Sequence, residues 1–292
     1  MIRFAERFVV FFSLACTALL FLSITVVTVY VLWRGLDAFN GALIFGGVDP
    51  LDALLGRRPV FDGLFPAIVG TLLLVVSAIV VAAPVGMATG IYLAEYASPR
   101  WRATLSTLFD VLAGLPSIVI GLAGFAITIY LHRLFPGRIG PCLLISALSL
   151  GFLVLPYVIR STQLALESIP ATLRLTAPAL GASHWQNIVR VLLPASTSGI
   201  LGGIILAIGR AAEDTAVILF TGVVASAGLP RSLLEQFEAL PFFIYYISSQ
   251  YTTTQELEMG FAAAFLLLVL CGSLFLLAYG LERLLARRFA FR

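Results

Sequence analysis

Six long stretches of apolar residues run through the chain, and they restrict its fold more than any other feature. They cover residues 8–33, 64–93, 103–131, 139–159, roughly 198–220, and 259–281. A helix rises about 1.5 Å per residue, so about 20 residues cross the roughly 30 Å of hydrocarbon in a bilayer. With 60% apolar residues, 11% charged residues and a mean hydropathy of +1.04, little remains for a soluble domain. The sequence therefore predicts an all-α, polytopic membrane protein with six transmembrane helices.

The orientation of these helices depends on arginine, because all 18 basic residues are arginines. If the N-terminus is cytoplasmic, eleven arginines lie in inner segments, six lie in outer segments and Arg210 lies inside a span. Cytoplasmic loops carry the excess of positive charge, so we expect both termini to be cytoplasmic. Arg3 and Arg7 precede an apolar run too long for a signal peptide, so we expect the first span to be retained.

Few residues of this chain suit catalysis or metal binding. Cys16, Cys142 and Cys271 lie in separate apolar segments, and His132 and His184 are expected in loops. A phosphate-cradling G-x-x-x-x-G-K-[ST] loop is impossible without lysine, so ATP hydrolysis would reside on another subunit. The net charge of +3 is spread over loops and termini, which does not favour nucleic acid. We therefore expect no enzyme activity, metal site or cofactor of the chain's own.

Residues 160–195 form the one long polar interruption, and they have the pattern of two helices joined by a turn. Ser168 and Pro170 mark a helix start, and Gly181 is suited to end that helix after Leu180. Pro178 disfavours helical dihedrals just before it, so this first helix should be kinked or shortened.

The second helix of this segment begins with a capping box, in which Ser183 and Gln186 satisfy each other's backbone. Its apolar residues recur at helical spacing from Trp185, and Leu193-Pro194 is expected to end it where the fifth span begins. Two functions fit the pattern. The segment is either an amphipathic hairpin resting on the membrane surface or a docking element for a soluble partner.

Arg210 lies past the middle of the fifth span, where a charge costs at least about 2.5–3.5 kcal/mol unless it faces a partner or a cavity. Glu213 and Asp214 are three and four residues further on, within reach on a helix. Asp110 in the third span is another possible partner. The cluster is either a structural ion pair or part of an anion pathway in which Asp214 holds Arg210 until the substrate competes for it.

Small residues and prolines give further local expectations. Gly86 and Gly90, and likewise Gly199 and Gly203, lie four residues apart, a spacing that allows close approach of membrane helices. Residues 232–240 have the composition of an external helix that ends at Pro241.

Several motifs resemble those of a known family. Thr176-Ala177, Gly181 and residues 191–194 resemble the "EAA…G…I-x-LP" signature of ABC importer permeases, although Leu175 stands where that signature has glutamate. Within those permeases, four segments are similar to the PstA-type permeases of phosphate importers. They are residues 91–97 (IYLAEYA), 112–122 (LAGLPSIVIGL), 209–216 (GRAAEDTA) and 240–245 (LPFFIY).

The resemblance implies a type I, MetI-like importer permease in the bacterial inner membrane. It implies a second permease subunit (PstC-like), two ABC ATPase subunits and an external phosphate-binding protein as partners, with a permease for molybdate, sulfate or tungstate as the alternative. The domains would be residues 1–62 (first helix and external loop), 63–285 (transmembrane core with the 160–195 loop) and 286–292 (cytoplasmic tail). The loop's 170–193 part would couple to the ATPase, and its candidate residues are Arg174, Ala177, Gly181, Ser183, Trp185 and Pro194.

Overall fold

The computed structural model describes residues 2–39, 41–54, 57, 58, 60, 63–137 and 139–290, and helices account for most of them. The N-terminal helices are α1 (Ile2–Ala38), α2 (Gly41–Phe45), α3 (Pro50–Leu54), α4 (Phe65–Ile91), α5 (Pro99–Ala113) and α6 (Ser117–Leu134). The C-terminal helices are α7 (Leu143–Glu167), α8 (Ala171–Ala179), α9 (His184–Asn187), α10 (Leu193–Glu213), α11 (Ala216–Thr221), α12 (Leu240–Gln250) and α13 (Thr254–Ala290). Two π-turns, Tyr92–Tyr96 and Ile188–Leu192, extend α4 and join α9 to α10. Among the described residues, six helices are long and apolar enough to span a membrane, so the predicted all-α, six-span class is confirmed.

Helix α7 forms the centre of the bundle, with α4 on one side and α10 on the other. Its Leu150, Val154 and Val158 are fully buried. The two glycine pairs make both contacts close. A Cβ on Gly86 or Gly90 would meet α7 within 2.7 Å, and Gly199 and Gly203 are equally crowded by Ala165 and Ser161 of α7. The glycine spacing in the sequence thus marked two real helix–helix contacts.

The third span is not the single helix over 103–131 that the sequence predicts. Helix α5 ends at Ala113, and α6 begins at Ser117 after the sequence Gly114-Leu115-Pro116. Pro116 has no N–H to donate and disfavours helical dihedrals at Leu115, so the chain breaks there. Helix α5 has no buried residue, whereas α6 packs against α7 and α11. The fourth span also differs, because α7 runs from Leu143 to Glu167 instead of covering 139–159.

The second helix of the polar interruption does not end at Leu193-Pro194, contrary to the prediction. Helix α9, the π-turn and α10 form one continuous rod over residues 184–213. In an α-helix the ring of Pro194 would meet the carbonyl of residue 190, and the π-turn widens the backbone at this point. The rod does break after Glu213, where Asp214 takes an extended conformation, and α11 follows as a short separate helix.

The predicted helix over 232–240 is also wrong. Residues 231–239 form turns and a single bridge between Val223 and Phe237, and the helix begins only at Leu240, with Pro241 in its first turn. Backbone N–H groups at the start of α7 donate to this segment, as from Leu143 to Glu235 at 3.0 Å. The N-terminal N–H groups of a helix have no acceptor within it. Residues 222–239 supply carbonyl acceptors for these groups and cover the N-terminal end of α7.

The first helix lies at the edge of the bundle and packs against α13. Tyr30 meets Phe261 edge to face with ring centroids 5.6 Å apart, while residues 6–20 of α1 are exposed. The predicted external loop after it contains α2 and α3 and turns at Gly46-Gly47, both with positive φ. Residues 286–290 of the predicted tail continue α13 as helix.

Candidate functional site

Arg210 lies in the last turn of α10 and is paired with both neighbouring carboxylates. Its Nη1 is 3.2 Å from Glu213 Oε1, and its Nη2 is 3.2 Å from Asp214 Oδ2. The two carboxylates differ sharply in burial, since the Asp214 side chain is 2% exposed and that of Glu213 is 64% exposed. The structure therefore brings together all three residues that the sequence predicted for this cluster.

Asp214 is held from two sides by the break between α10 and α11. Its Oδ2 faces Arg210, and its Oδ1 accepts a hydrogen bond of 2.9 Å from the backbone N–H of Val217 in the first turn of α11. A carboxylate is favoured at a helix N-terminus because it satisfies a free N–H and meets the positive end of the helix dipole. Asp214 is thus a fixed anchor for the guanidinium, whereas Glu213 makes one contact and remains accessible.

Asp110 does not take part in this cluster, contrary to the possibility raised by the sequence. It lies on α5 and forms a two-pronged ion pair with Arg160 of α7, in which Nε of Arg160 is 2.8 Å from Oδ1. Arg160 also donates to Gln163, whose amide donates to Glu167 at 3.0 Å. This network ties α5, which buries no residue, to the central helix.

A cavity of about 700 Å³ adjoins the cluster. Its walls come from α1, α7, α10, α12 and α13 and are mostly apolar, with Tyr157, Cys271 and Phe275 among them. Among the described residues that line it, Arg210 carries the positive charge and Glu213 the negative charge. A low-dielectric wall strengthens interactions between charges, so the contact between the guanidinium and its carboxylate partners is stronger here than in water.

We use the term elbow for residues 168–192, which lie at the end of the bundle where α4 and α7 terminate. Helix α8 ends at Ala179, one residue after Pro178, and Gly181 turns the chain with a φ of +83°. The Ala177 carbonyl accepts hydrogen bonds from the two residues that flank Gly181. The predicted capping box is confirmed, since Gln186 N–H donates to Ser183 Oγ at 3.2 Å and Ser183 N–H donates to Gln186 Oε1 at 2.9 Å.

The elbow presents an apolar tip to its surroundings. Leu180, beside the turn, is 85% exposed, and Leu175 and Trp185 are also largely exposed. Of the predicted coupling residues, Trp185 lies on this tip and Pro194 lies at the junction with α10. Arg174 points the other way, into the protein, where it pairs with Glu95 at the end of α4. Glu95 is not among the residues predicted from the sequence, although it falls inside the 91–97 motif.

No group of three or more His, Cys, Asp or Glu side chains gathers as metal ligands within the part of the chain that the structure describes. A membrane bundle with an anchored arginine beside an apolar cavity, and a helical elbow at one end, has the features of a transport permease. The identity of its relatives narrows this class.

The family model of binding-protein-dependent transport system inner membrane components matches residues 86–290. The phosphate transport system permease protein PstA of Haemophilus influenzae is 36% identical over 217 residues, 73% of this chain and 74% of that protein. PstA of Yersinia pestis is 36% identical over 240 residues, 82% of this chain and 76% of that protein. The chain therefore belongs to the family of binding-protein-dependent inner membrane components and, within it, to the PstA permeases.

Solved structures agree on the fold. The chain resembles a subunit of the MetNI methionine ABC transporter in an inward-facing conformation, with a TM-score of 0.54 and 19% identity over 82% of this chain and 99% of that chain. It also resembles a chain of an amino acid ABC transporter solved with histidines, with a TM-score of 0.51 and 16% identity over the same shares. The protein is a multi-pass inner membrane protein with the type I ABC importer permease fold.

Proposed function

We propose that this chain is the permease subunit of an ATP-driven importer of inorganic phosphate and forms half of its translocation pathway. The PstA relatives support phosphate, and the alternative oxyanions molybdate, sulfate and tungstate are not favoured. The single observation that carries the proposal is the Arg210 guanidinium, anchored on buried Asp214 and open to the cavity. A planar guanidinium donates in the fork geometry that phosphate oxygens accept.

The two carboxylates have different roles at this arginine. With both ionised, the cluster carries a charge of −1 and would repel phosphate. Glu213 is exposed and held by one contact, so an incoming phosphate displaces it from Nη1 while Asp214 keeps the guanidinium in place. Asp214 is the releasable carboxylate expected from the sequence, but its burial and its two contacts favour Glu213 for that role.

The elbow would receive force from ATPase subunits. Its exposed leucines and Trp185 suit an apolar recess better than a charged one, in line with Leu175 at the position where the permease signature has glutamate. Closure of two ATPase subunits would push the elbow, and the continuous rod from α9 to α10 would carry that displacement to Arg210 at its other end. A second permease subunit, two ABC ATPases and an external phosphate-binding protein complete the proposed importer.

The proposed orientation puts the elbow and both termini in the cytoplasm and residues 222–239 outside. The arginine distribution supports it. The division into residues 1–62, 63–285 and 286–292 stays a prediction.

The test of the anion pathway is Arg210→Gln in the assembled importer. We expect phosphate uptake to fall by at least about 30-fold, because truncating one member of a buried charge pair costs roughly 2–5 kcal/mol, while assembly and ATP hydrolysis persist. Arg231→Gln, on the outer segment, is the matched control and should transport normally. Normal uptake by Arg210→Gln would remove this arginine from the mechanism.

The substrate is tested separately by uptake in cells that lack and then regain this chain, with arsenate, sulfate and molybdate as competitors. We expect phosphate uptake to return when the chain is restored. Of the three competitors, only arsenate should inhibit it, because arsenate shares the charge and shape of phosphate. Restored molybdate uptake without phosphate uptake would overturn the assignment.

A further inference from the structure

Arg174 and Glu95 form the most buried charge pair at the elbow. Arg174 Nη1 is 2.7 Å from Glu95 Oε1, and the side chains are 26% and 5% exposed. Glu95 lies in the π-turn that ends α4, and Arg174 lies in α8. The pair therefore links a spanning helix directly to the first helix of the elbow.

The same arginine connects two further elements. Its Nη2 donates to the carbonyl of Leu166 at the end of α7, and its Nε donates to the carbonyl of Ile169 at 3.3 Å. The Asn187 side chain of α9 in turn donates to the backbone carbonyl of Arg174 at 3.0 Å. One residue thus joins the ends of α4 and α7 to both helices of the elbow.

Helix α8 depends on this polar link because it has no buried residue of its own. The apolar packing beneath the elbow comes from other segments, namely Ala94, Leu166, Ile169, Ile188 and Leu192. Two of these segments are the π-turns, a form that is rare in helices and frequent at functional sites. Without Glu95, α8 would keep the backbone contacts of Arg174, the connection through Asn187 and its packing on α9 and the π-turn after it, and it would lose its side-chain link to the end of α4.

We infer that Glu95 is a positioning residue that makes α8 move with α4 when the elbow is pushed. This inference rests on the proposed function, and it adds a second route for force beside the rod of α9 and α10. The Glu95 carboxylate fixes the direction of the guanidinium, and the guanidinium holds α8. The route ends in α4, whose Gly86 and Gly90 pack tightly on the central helix.

The test uses the complete importer with Glu95→Gln, which keeps the size of the side chain and removes its charge. Spin labels on Thr172 of α8 and Val80 of α4, both exposed, report whether the two helices move together. In the wild-type protein we expect the same distance distribution without nucleotide and after trapping with ATP and vanadate. In Glu95→Gln the distribution should broaden and shift on trapping.

A second readout is the amount of phosphate transported per ATP hydrolysed. It should fall by about 2-fold to 30-fold in Glu95→Gln, with basal ATP hydrolysis unchanged, since residues along a coupling route shift the coupling free energy by roughly 0.5–2 kcal/mol. Asp110→Asn is the matched control, because it breaks an interhelical ion pair that touches neither elbow helix. Its label distances should match those of the wild type.

Arg174→Lys provides a second variant if Glu95→Gln assembles poorly. Lysine keeps the charge beside Glu95 but cannot also reach both backbone carbonyls. We therefore expect label distances and transport per ATP between those of the wild type and those of Glu95→Gln. The inference is overturned if the assembled variants match the wild type, if Asp110→Asn matches Glu95→Gln, or if the wild-type distance itself changes on trapping. The distance readout is independent of the transported solute, so a wrong substrate would leave it intact.

Discussion

Gly203→Ala tests the packing of α10 on the central helix, on which the position of Arg210 depends. A Cβ added at Gly203 would overlap both the hydroxyl and the Cβ of Ser161, whereas the Ser161 Cα is 3.6 Å away, an ordinary contact. The Ser161 Cβ cannot rotate out of the way, so the helices must separate. Overpacking costs about 1–3 kcal/mol, and two overlapping atoms favour the upper end. Alanine recovers up to about 1 kcal/mol of helix propensity, which leaves a net loss of about 2 kcal/mol.

The assay is thermal unfolding of the purified protein, with one control and one rescue. A loss of about 2 kcal/mol lowers the melting temperature by about 4–8 °C in a chain of this size class. Gly202→Ala is the control, because an added Cβ there has no neighbour within 4 Å, and it should melt at or slightly above the wild type. Adding Ser161→Gly to Gly203→Ala removes both overlapping atoms and should restore most of the loss.

Two results would refute this reasoning. If Gly203→Ala melts as high as Gly202→Ala, α10 does not approach α7 closely at this point. If the double variant loses as much free energy of unfolding as the two single variants lose together, the loss does not come from the overlap with Ser161.

Two further predictions concern the segments outside the bundle. Burial raises the pKa of Glu238, although its carboxylate accepts hydrogen bonds from the backbone N–H groups of Ala227 and Gly228. Because the folded state disfavours the ionised form, Glu238 lowers the stability of the protein at high pH. This loss disappears as the pH falls toward the ordinary pKa of a glutamate. Glu238→Gln should therefore raise the melting temperature at pH 8 but not near pH 5, and destabilisation at pH 8 would contradict this. Ser183→Ala removes the capping box of the elbow and should lower stability by about 1 kcal/mol in the same assay, unlike Ser248→Ala, whose hydroxyl caps no helix start.

Proline explains most of the errors in the helix boundaries. The sequence pattern predicts helix ends at Pro194 and Pro241, but both lie in the first turn of a helical segment, as do Pro66 and Pro99. At the starts of α4, α5 and α12 the first-turn N–H has no partner inside the helix, so proline loses nothing there. Pro194 instead lies inside the continuous rod, where the π-turn before it accommodates the ring. Whether a proline ends one helix or begins the next depends on what precedes it, such as the π-turn before Pro194, and spacing alone does not reveal that.

Hydropathy located the spans but not the ends of the helices that contain them. The sequence placed the end of the fourth span before Arg160, because an arginine there looks like the start of a loop. The helix continues to Glu167 because Thr162, Gln163 and Leu166 are buried there, and Arg160 finds a partner in Asp110 of α5. The partner lies 50 residues away in the chain, so only the tertiary structure brings it there. Local signals such as the Ser183 capping box were predictable because both partners are three residues apart.

The Arg210 cluster illustrates the same limit at the candidate site. Spacing of three and four residues puts both carboxylates within reach of the arginine, but it does not say which one is buried. That difference comes from the backbone break after Glu213, which turns Asp214 inward to cap α11 and leaves Glu213 on the cavity. A helix that continued to residue 220 would keep the Val217 N–H inside its own hydrogen bonds, and Asp214 would then lose its second anchor. The break is therefore what makes Asp214 a fixed support for Arg210 and leaves Glu213 as the accessible carboxylate, the one that phosphate displaces in the proposed pathway.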